Sequence, residues 1–515
     1  MSVKKLVRFL SESGVAEAFP LYVTGYVLVA ESVLILLCLL FFGLDEGHVL
    51  ETMSAVSIGM AFGIALLLLF KSPLKVTAAT GAFTISLIWF VAILYGCVPY
   101  MIDGFTFAEA AFESISGFTT TGMSIVENVA GLNDSVLIWR ATTGWAGGIG
   151  FIILFCLLMR YFGLDGRNIF VSDGLKHNVS HSLKSIKSLA MDFIIVYSAL
   201  TALLAIALIV TGNDPIDSVC ISMSTISTTG FSTLNADLTE MAMISKVFIG
   251  IFLFLSAMNF MSLFAGMTGL TLKPIREDTE IKQMLIWFTV SSTILFGILI
   301  QSGTMTFELE DILDTILMVM SIGTTTGFVF HDFAWPTVAM LFLSMLALIG
   351  GCRESPTGGI KVSRMAIIIK TIRRHISNVS SPNEVYPIRF GKTEVKGRVI
   401  DSVLVTTSLF LSTAIIGTMA IYLTGVEIVD SFYLCVSSLT TTGTGLYSVG
   451  NVASLPDVAK GIMCALMWIG RMEITLALTI FMPAFWKDFY TPIRRAVYSL
   501  RGRLTRTSND RRRVS

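Results

Sequence analysis

A short run of hydroxyl-bearing residues that ends in glycine occurs four times in this 515-residue sequence. The copies, called TTG runs 1 to 4, are Thr119-Thr120-Thr121-Gly122, Ser227-Thr228-Thr229-Gly230, Thr324-Thr325-Thr326-Gly327 and Thr440-Thr441-Thr442-Gly443. Non-helical backbone is tolerated at membrane depth only where it is buried in protein or lines water. Main-chain carbonyl oxygens in such a position can replace the hydration shell of a cation. We therefore predict that the four runs form one cation filter.

The residues before each TTG run follow a common pattern. Serine stands six residues before the glycine, at Ser116, Ser224, Ser321 and Ser437, and an acid stands thirteen before it, at Glu109, Asp217, Asp314 and Asp430. The unit recurs at intervals of roughly 100 residues, as expected for a repeated transmembrane hairpin with a short insertion. A single polar run among apolar helices is usually a packing contact. Packing does not require an acid at a fixed distance, so the fourfold pattern favours a repeated pore unit.

The acid and the threonines predict the local structure of each unit. The acid would open a short helix, because the helix dipole favours negative charge at the N-terminus. About ten residues at 1.5 Å each carry that helix roughly half way across the bilayer, with its partly negative end facing a cation. The β-branched threonines favour extended backbone, and glycine reaches angles that other residues avoid. Four such units, each between two spans, predict a pore with pseudo-fourfold symmetry.

The composition places these units in a membrane. Hydrophobic residues make up 54% of the chain and charged residues only 14%, whereas about a quarter of the residues of a soluble domain are charged. Apolar stretches long enough to cross a bilayer recur along the whole sequence. The sequence therefore predicts an all-α polytopic membrane protein in which four pseudo-symmetric helix–pore loop–helix repeats surround one pore.

The charges of the connectors predict the orientation in the membrane. Basic residues lie at both ends of the chain and crowd the connectors 160–187, 273–282 and 361–398, whereas the other connectors carry acids. The positive-inside rule then predicts that both termini are cytoplasmic and that the acidic face is outside. The basic connectors could dock a regulator, and anionic lipid head groups explain them equally well. The basic, polar N-terminus predicts no cleavable signal, and the seven scattered cysteines predict no metal site.

Several motifs between the runs resemble the Trk/Ktr/HKT superfamily of potassium transporters, most closely its bacterial TrkH/TrkG branch. SGFTTTG resembles the first filter loop of the family. The other matching motifs are WAGGIGFII (145–153), Asn259-Phe260, GGCRESPTGGIKVSR (350–364), SSPNEVYPIRFGKTEV and GRMEI (470–474). Each motif alone is weak. Their order and number make the resemblance specific, and it covers nearly the whole chain.

The resemblance implies an assembly and a transported ion. It implies a homodimer in the bacterial inner membrane and a cytosolic, nucleotide-binding regulatory subunit of the TrkA type. It implies K⁺ as the transported ion, bound at the TTG runs only, with no cofactor and no nucleic acid bound by this chain. All four runs end in glycine, which favours potassium, because a serine can replace the first glycine in relatives that pass sodium. The chain departs from the family at Ala146, Arg353 and Glu354.

The resemblance and the repeat pattern together predict the organisation of the chain. The family implies two extra N-terminal helices, at about 21–43 and 50–71. The predicted segments are a two-helix segment (1–75), repeat 1 (76–170), repeat 2 (185–272), repeat 3 (280–372), a cytoplasmic link (373–398), repeat 4 (399–490) and a basic cytoplasmic tail (491–515).

Two features are expected to meet just below the filter. The second helix of repeat 3 should start near Pro336 and the second helix of repeat 4 after Pro456. Gly350 and Arg471 then both lie about 14 residues, or roughly 21 Å, along their helices. An arginine at that depth is costly and opposes cations electrostatically. We predict a gate made of a mobile glycine loop and a cationic barrier; its residues are Gly350, Gly351, Gly358, Gly359 and Arg471.

The sequence also makes predictions for three charged side chains, Arg471, Glu473 and Arg140. The alternative role for Arg471 is a structural ion pair that holds the last helix. Glu473 is not on the same helix face as Arg471, and we expect it to pair elsewhere, with Arg353 as one option. Arg140, near the outer start of a helix, is expected to extend its charged end toward water.

The sequence therefore favours potassium uptake by passive flow through a carbonyl-lined filter. The alternative is a symporter that couples potassium to protons or sodium. Such transporters usually contain inverted halves and a mid-membrane ionisable residue, whereas the repeats here run in one orientation. The sequence lacks HExxH and GxSxG, and we expect no enzyme activity.

Overall fold

Apolar helices long enough to cross a bilayer dominate the computed structural model of the chain. The structure describes residues 18–42, 49–70, 78–161, 186–235, 237–305, 307–331, 335–380, 387–391, 393–444, 452–483 and 486. Within those ranges, six helices have the length and composition of a membrane span. A seventh span results if one helix pair that bends by 107° is counted as a single span. The prediction of an all-α polytopic membrane protein is confirmed.

The first of two compact units draws on residues 1–104 and 475–515. Its described helices include α1 (Ala18–Phe42), α2 (Val49–Leu69) and α3 (Ala78–Ile102). A side chain on Gly25 of α1 would lie 2.9 Å from the backbone oxygen of Gly63 on α2, so these glycines allow the two helices to pack closely. The Tyr95 hydroxyl of α3 lies 2.9 Å from the Ser32 hydroxyl of α1, and this hydrogen bond joins the third helix to the first.

The second unit, Phe105–Ile474, contains the four TTG runs. A short helix precedes each run: α4 (Phe107–Phe118), α7 (Pro215–Ser227), α12 (Leu309–Gly323) and α16 (Ile428–Leu439). The remaining helices are α5 (Asp134–Tyr161), α6 (Ile186–Val210), α8 (Met243–Ala257), α9 (Phe260–Gly269), α10 (Lys273–Glu277), α11 (Thr279–Gln301), α13 (Thr337–Ala347), α14 (Val362–Ser380), α15 (Gly397–Tyr422), α17 (Asp457–Arg471) and, at the boundary between the units, α18 (Ile474–Thr479). Two three-residue 3₁₀ turns, Val129–Gly131 and Val452–Ser454, lie between the runs and the following helices.

The acid of the repeated pattern lies in the first turn of three of the four short helices. At α4, the Thr106 hydroxyl accepts a hydrogen bond from the Glu109 backbone, and the Glu109 carboxylate accepts one from the Thr106 backbone. That backbone hydrogen bond is the main reason why the pKa of Glu109 lies below its usual range. Asp217 and Asp430 lie in the first turns of α7 and α16. These positions agree with the expected attraction between an acid and the helix N-terminus.

The fourth acid, Asp314, has a different role from the predicted one. Helix α12 begins at Leu309, and the acids in its first turn are Glu310 and Asp311. Asp314 lies further along the helix, is fully buried, and its carboxylate lies 3.0 Å from the Lys246 ammonium of α8. The same ammonium donates a hydrogen bond to the Phe330 backbone oxygen at 3.0 Å. The patterned acid of repeat 3, Asp314, therefore forms a long-range ion pair and does not start its helix.

A two-stranded hairpin leads into the last repeat. Strands β1 (Arg389–Phe390) and β2 (Thr393–Glu394) pair antiparallel. Their apolar side chains join a small core with residues of α14 and α15; its members are Ala366, Ile367, Ile388, Phe390, Val395, Ile400 and Val403. This core fixes the start of α15 against α14. The predicted tail (491–515) and most of the N-terminal basic segment lie outside the described residues.

The Lys246–Asp314 pair predicts a large and selective stability effect. Lys246→Met leaves the Asp314 carboxylate buried without its cation, and removing one partner of such a pair costs about 3–5 kcal/mol. We expect thermal unfolding of the detergent-purified protein at a clearly lower temperature. The matched control is Lys273→Met, because the Lys273–Glu277 pair is exposed at the surface and exposed pairs contribute about 0–1 kcal/mol. Equal effects of the two substitutions would contradict the assignment.

Candidate functional site

Each short helix ends in the same hydrogen-bond arrangement. The backbone N–H of the third residue of each run, Thr121, Thr229, Thr326 or Thr442, donates to the carbonyl of the patterned serine, Ser116, Ser224, Ser321 or Ser437, at 2.8, 2.9, 2.9 and 2.9 Å. The serine of the sequence pattern therefore marks the helical turn onto which the run folds back. These N–H groups point into their own helix end, so the carbonyl oxygens of the runs are free to face neighbouring runs.

The second threonine of each run has a left-handed backbone. The φ angles of Thr120, Thr228, Thr325 and Thr441 are 54°, 54°, 55° and 54°. The prediction of a uniformly extended run is therefore wrong. The physical reason is that an extended strand alternates its peptide groups, whereas a right-handed residue followed by a left-handed one aims successive N–H groups to one side. That geometry is rare and strained for a β-branched residue.

The glycines close the four runs into a ring. A Cβ on Gly122 would overlap the carbonyl oxygen of Thr229 in the next run. Gly230 stands in the same relation to Thr326 O. The ring is completed by the pairs Gly327–Thr442 O and Gly443–Thr121 O. All four hypothetical Cβ positions lie under 3.0 Å from the oxygen, closer than real side chains come. Each run thus touches the next in the order 1, 2, 3, 4, 1, and only glycine fits at the contact.

A buried arginine, Arg140, links the segments that follow the first two runs through hydrogen bonds. The Arg140 Nε donates to a Glu113 carboxylate oxygen at 3.1 Å, and Arg140 also donates to the Ser232 backbone oxygen at 3.4 Å. The second Glu113 oxygen accepts hydrogen bonds from the Ser124 hydroxyl and the Ile125 backbone at 2.7 and 2.8 Å. The expectation that Arg140 reaches toward water is wrong, because only 2% of the residue is exposed. A buried carboxylate on the preceding helix stabilises it instead.

A second brace joins the segments that follow runs 2 and 3. An Asp237 carboxylate oxygen accepts a hydrogen bond from the Val329 backbone at 2.7 Å, and the Leu238 backbone donates to Val329 O at 3.1 Å. Burial raises the pKa of Asp237 to about 7. The sequence offered no signal for this contact, since Asp237 and Val329 lie in different repeats and in no recognisable motif.

The glycine-rich segment predicted as a gate separates two helices and contacts the TTG runs. Helix α13 ends at Ala347 and α14 begins at Val362. The intervening loop, 348–361, is called the gate loop. The Gly358 N–H donates to the Thr325 hydroxyl oxygen at 2.7 Å, and a Cβ on Gly358 would overlap the Thr440 carbonyl oxygen. The loop therefore contacts runs 3 and 4 at one end of the ring.

Close backbone contacts hold the gate loop in shape. Gly350 and Gly359 have φ angles of 69° and 72°, and a Cβ on Gly350 would overlap the Gly358 carbonyl oxygen. The Gly351 N–H donates to the Thr357 hydroxyl at 3.2 Å. The four predicted glycines are therefore brought together, and the crossing of the loop ends depends on their lack of side chains.

Arg471 joins the gate loop to another helix of the second unit. Its guanidinium donates to the Pro356 backbone oxygen at 2.6 Å and to the Gly147 backbone oxygen of α5 at 3.1 Å. Its charged carbon lies 4.3 Å from the centre of the Phe151 ring. Only 2% of Arg471 is exposed. The predicted meeting of this arginine with the glycine loop is therefore observed in the structure, and both hydrogen-bond acceptors are backbone carbonyls.

The carboxylate partners near the gate loop differ from the expected ones. Glu473 pairs with Arg364 of α14 at 3.1 Å, not with Arg353. Arg353 instead pairs with Glu280 at the start of α11, and its backbone N–H donates to the same carboxylate at 3.0 Å. The expected Glu473–Arg353 pair is wrong because the fold of the loop turns Arg353 toward α11. This pair anchors the loop to the first helix of repeat 3.

Lys361, which the sequence analysis placed at the start of a basic connector, is a further buried cation at the end of the gate loop. Its ammonium donates to the Thr357 hydroxyl at 2.9 Å and to the Thr357 carbonyl, and lies 5.8 Å from the centre of the Phe151 ring. Only 5% of the residue is exposed. The available signal was its position two residues after Gly359, within the motif 350–364.

The Asn259-Phe260 motif marks a sharp break in the second helix of repeat 2. Helices α8 and α9 meet there at 107°. The Asn259 carbonyl oxygen of the side chain accepts hydrogen bonds from the backbone of Met261 and Ser262 and so starts α9. The Phe260 N–H donates to Glu354 O at 3.2 Å. The break in repeat 2 therefore contacts the gate loop of repeat 3.

Comparison with known proteins agrees with this architecture. The family described as "TrkH: Cation transport protein" matches residues 49–312 and 308–488. The Trk system potassium uptake protein TrkH of Escherichia coli K12 is 31% identical over 433 residues, which are 81% of this chain and 88% of that protein. The Halomonas elongata protein of the same name is 28% identical over 412 residues, 78% of this chain and 85% of its own.

A solved structure has the same fold over nearly its full length. The crystal structure of the potassium transporter TrkH from Vibrio parahaemolyticus aligns with a TM-score of 0.83 and 25% identity. The alignment covers 90% of this chain and 98% of the other. Given the matched residues, the extent of the sequence identity and the shared fold, this membrane-spanning chain belongs to the TrkH family of cation transport proteins.

Proposed function

We propose that this protein takes up potassium ions through the ring of TTG runs. The closed ring of glycine–carbonyl contacts is the observation that supports this proposal most directly. Four backbones meet there with their N–H groups bonded into their own helices, so carbonyl oxygens are the groups left to replace the water of a dehydrated K⁺. The similar proteins of Escherichia coli and Halomonas elongata are named as potassium uptake proteins. The residues of runs 1 to 4 are the proposed ion ligands.

The gate in this proposal is the loop beneath the ring. Gly358 lies against runs 3 and 4, where it obstructs the path of an ion that leaves the filter. The Arg471 cation, held by Pro356 O and Gly147 O, adds an electrostatic barrier beside that path. Withdrawal of the loop and displacement of Arg471 would open the pathway. The backbone partners of Arg471 support the gate over a purely structural ion pair, since no carboxylate is among its described hydrogen-bond acceptors.

The proposed assembly follows the family. The chain forms a homodimer in the inner membrane, with both termini in the cytoplasm and a TrkA-type nucleotide-binding subunit that controls the gate loop. The repeat boundaries 76–170, 185–272, 280–372 and 399–490 remain the proposed organisation, each repeat containing one short helix and one TTG run. The excess of basic residues in the connectors supports this orientation.

Potassium flux into liposomes that contain the purified protein distinguishes passive conduction from symport. Purified protein in liposomes is given a potassium gradient without a proton or sodium gradient, and potassium flux is recorded with an ion-sensitive dye. We expect flux under these conditions, because the four repeats run in one orientation around a single pathway. A strict requirement for a proton or sodium gradient would overturn passive conduction and favour the symporter. Protein-free liposomes give the background leak.

Substitution of a ring glycine should damage selectivity. Gly327→Ala forces a methyl group into the Thr442 carbonyl oxygen and separates runs 3 and 4. We expect the ratio of potassium to sodium flux to fall about tenfold, equivalent to about 1.4 kcal/mol of discrimination. The control is Gly297→Ala in α11, where the added carbon has no described atom within 4 Å beyond its chain neighbours and the backbone of its own helix. An unchanged ratio in folded Gly327→Ala protein would refute the filter assignment.

Removal of the arginine charge should increase regulator-free flux. Arg471→Gln keeps hydrogen-bond donors but removes the cation, and we expect a rise of about tenfold in potassium flux into liposomes, or ~1.4 kcal/mol. Arg364→Gln removes a nearby charge that pairs with Glu473 and serves as the control. If flux through folded Arg471→Gln protein stays at the original level, Arg471 has a structural role only. Size-exclusion chromatography checks that each variant is folded.

A further inference from the structure

The backbone carbonyl of the patterned serine explains its position before each run, but not its side chain. That carbonyl accepts the N–H of the third run residue in every repeat, and every residue type carries such an acceptor. Serine nevertheless stands at all four positions, which are Ser116, Ser224, Ser321 and Ser437. Each of these residues is at most 3% exposed. The four buried hydroxyl groups therefore need partners of their own.

In repeat 3, the hydroxyl of the patterned serine bonds directly to the main chain that follows the run. The Ser321 Oγ donates to the Phe328 carbonyl oxygen at 2.8 Å. Phe328 comes immediately after the run glycine, Gly327, and Ser321 lies near the end of α12. This hydrogen bond therefore fixes the point at which the chain leaves run 3 against the helix that leads into it.

In repeats 1, 2 and 4, the same hydroxyl has no described partner. The Oγ atoms of Ser116, Ser224 and Ser437 are buried and form no hydrogen bond with the described part of the chain. A buried hydroxyl without a partner is unfavourable, and native structures rarely contain one. Ordered water is the common solution, because one buried water molecule makes about three hydrogen bonds to polar groups that otherwise lack partners. Three repeats thus require a small polar ligand where the fourth has a direct bond.

A small cavity in repeat 4 lies where such a ligand is needed. The polar residues that line it are Ser437, Thr444, Tyr433, Thr442 and Ser344. Thr444 follows the run glycine and corresponds to Phe328 of repeat 3. The cavity volume of about 10 Å³ has room for about one water molecule. The cavity therefore borders both residues whose counterparts are directly bonded in repeat 3.

We propose that the patterned serine is a water-binding site in repeats 1, 2 and 4, where an ordered water molecule bridges its hydroxyl to the main chain after the run glycine. Repeat 3 makes the same connection without water. Water fits the cavity of repeat 4 because it can donate to and accept from the hydroxyl groups there, and none of the described lining residues is charged. The role of these sites is to support the runs, whichever cation the runs pass.

The direct connection occurs in the run to which the gate loop is hydrogen-bonded. The Gly358 N–H donates to the Thr325 hydroxyl oxygen of run 3 at 2.7 Å. A direct bond holds the chain in one geometry, whereas a bridging water molecule contributes hydrogen bonds that can each adjust and can exchange. Run 3 therefore has the stiffer support, and the other three runs have the more adaptable one.

Replacement of the serine by alanine tests the water through the sign of its effect. Ser437→Ala removes a partner of the bound water, so the detergent-purified full-length protein should unfold at a temperature about 1–2 °C lower. Removal of a hydroxyl without a partner would instead relieve an unfavourable burial. An unchanged or raised unfolding temperature would therefore overturn the proposal. Ser321→Ala is the matched variant, because it breaks the direct bond of repeat 3 and should lower the unfolding temperature in either case. Should Ser437→Ala not fold, Ser116→Ala makes the same test in repeat 1.

A density map of the unchanged protein in lipid nanodiscs, at a resolution that shows ordered water, locates the ligand directly. We expect a peak within hydrogen-bond distance of the patterned serine Oγ in repeats 1, 2 and 4, and none in repeat 3. A direct bond from the Ser437 Oγ to the Thr444 carbonyl oxygen in place of the peak would contradict the water bridge. A peak that strengthens when thallium replaces potassium would identify a cation and also contradict it. All of these outcomes are independent of the flux measurements that test the proposed function.

Discussion

The approach of each run glycine to the carbonyl oxygen of the next run is the contact on which the remaining structure depends. The four contacts form a cycle, from Gly122 to Thr229 and around to Gly443 and Thr121. A side chain at one glycine would displace not one loop but the ring, because each run is a neighbour of two others. This explains physically why a glycine ends every copy of the sequence pattern. The short helices and the ion pairs around the runs hold these four contacts in place.

The ring is held under local strain. A left-handed backbone at a β-branched threonine costs of order 1–3 kcal/mol per residue, and the chain contains four such residues at equivalent positions. The backbone hydrogen bonds to the patterned serines, the Glu113–Arg140 brace and the Lys246–Asp314 pair oppose relaxation of this geometry. The two ion pairs lie in the protein interior, where the loss of either partner leaves an uncompensated charge. Long-range polar contacts therefore contribute to the rigidity of the site.

Composition predicted the helical membrane fold, and local spacing predicted the four runs with their short helices and the meeting of Arg471 with the glycine loop. The runs and their short helices recur at a fixed spacing in the sequence. The meeting of Arg471 with the loop follows from the 1.5 Å rise per helical residue, which converts a residue number into a depth along the helix. The partners of Asp314, Arg140 and Arg353 could not be predicted in this way. Each bonds to a residue in another element, and nothing in the neighbouring sequence indicates which. The left-handed threonines were missed because intrinsic preference favours extended backbone, and the helix-end hydrogen bonds overrode it.

The break in repeat 2 has a mechanical consequence for the segment beneath the ring. Two main-chain hydrogen bonds cross between them: the Phe260 N–H donates to Glu354 O, and the Cys352 N–H donates to Ala257 O at 3.0 Å. Substitutions other than proline in either segment keep the backbone N–H and C=O groups that form these bonds. A displacement of residues 352–354 must therefore either rupture both bonds or carry the elbow between α8 and α9 along as one hinged body.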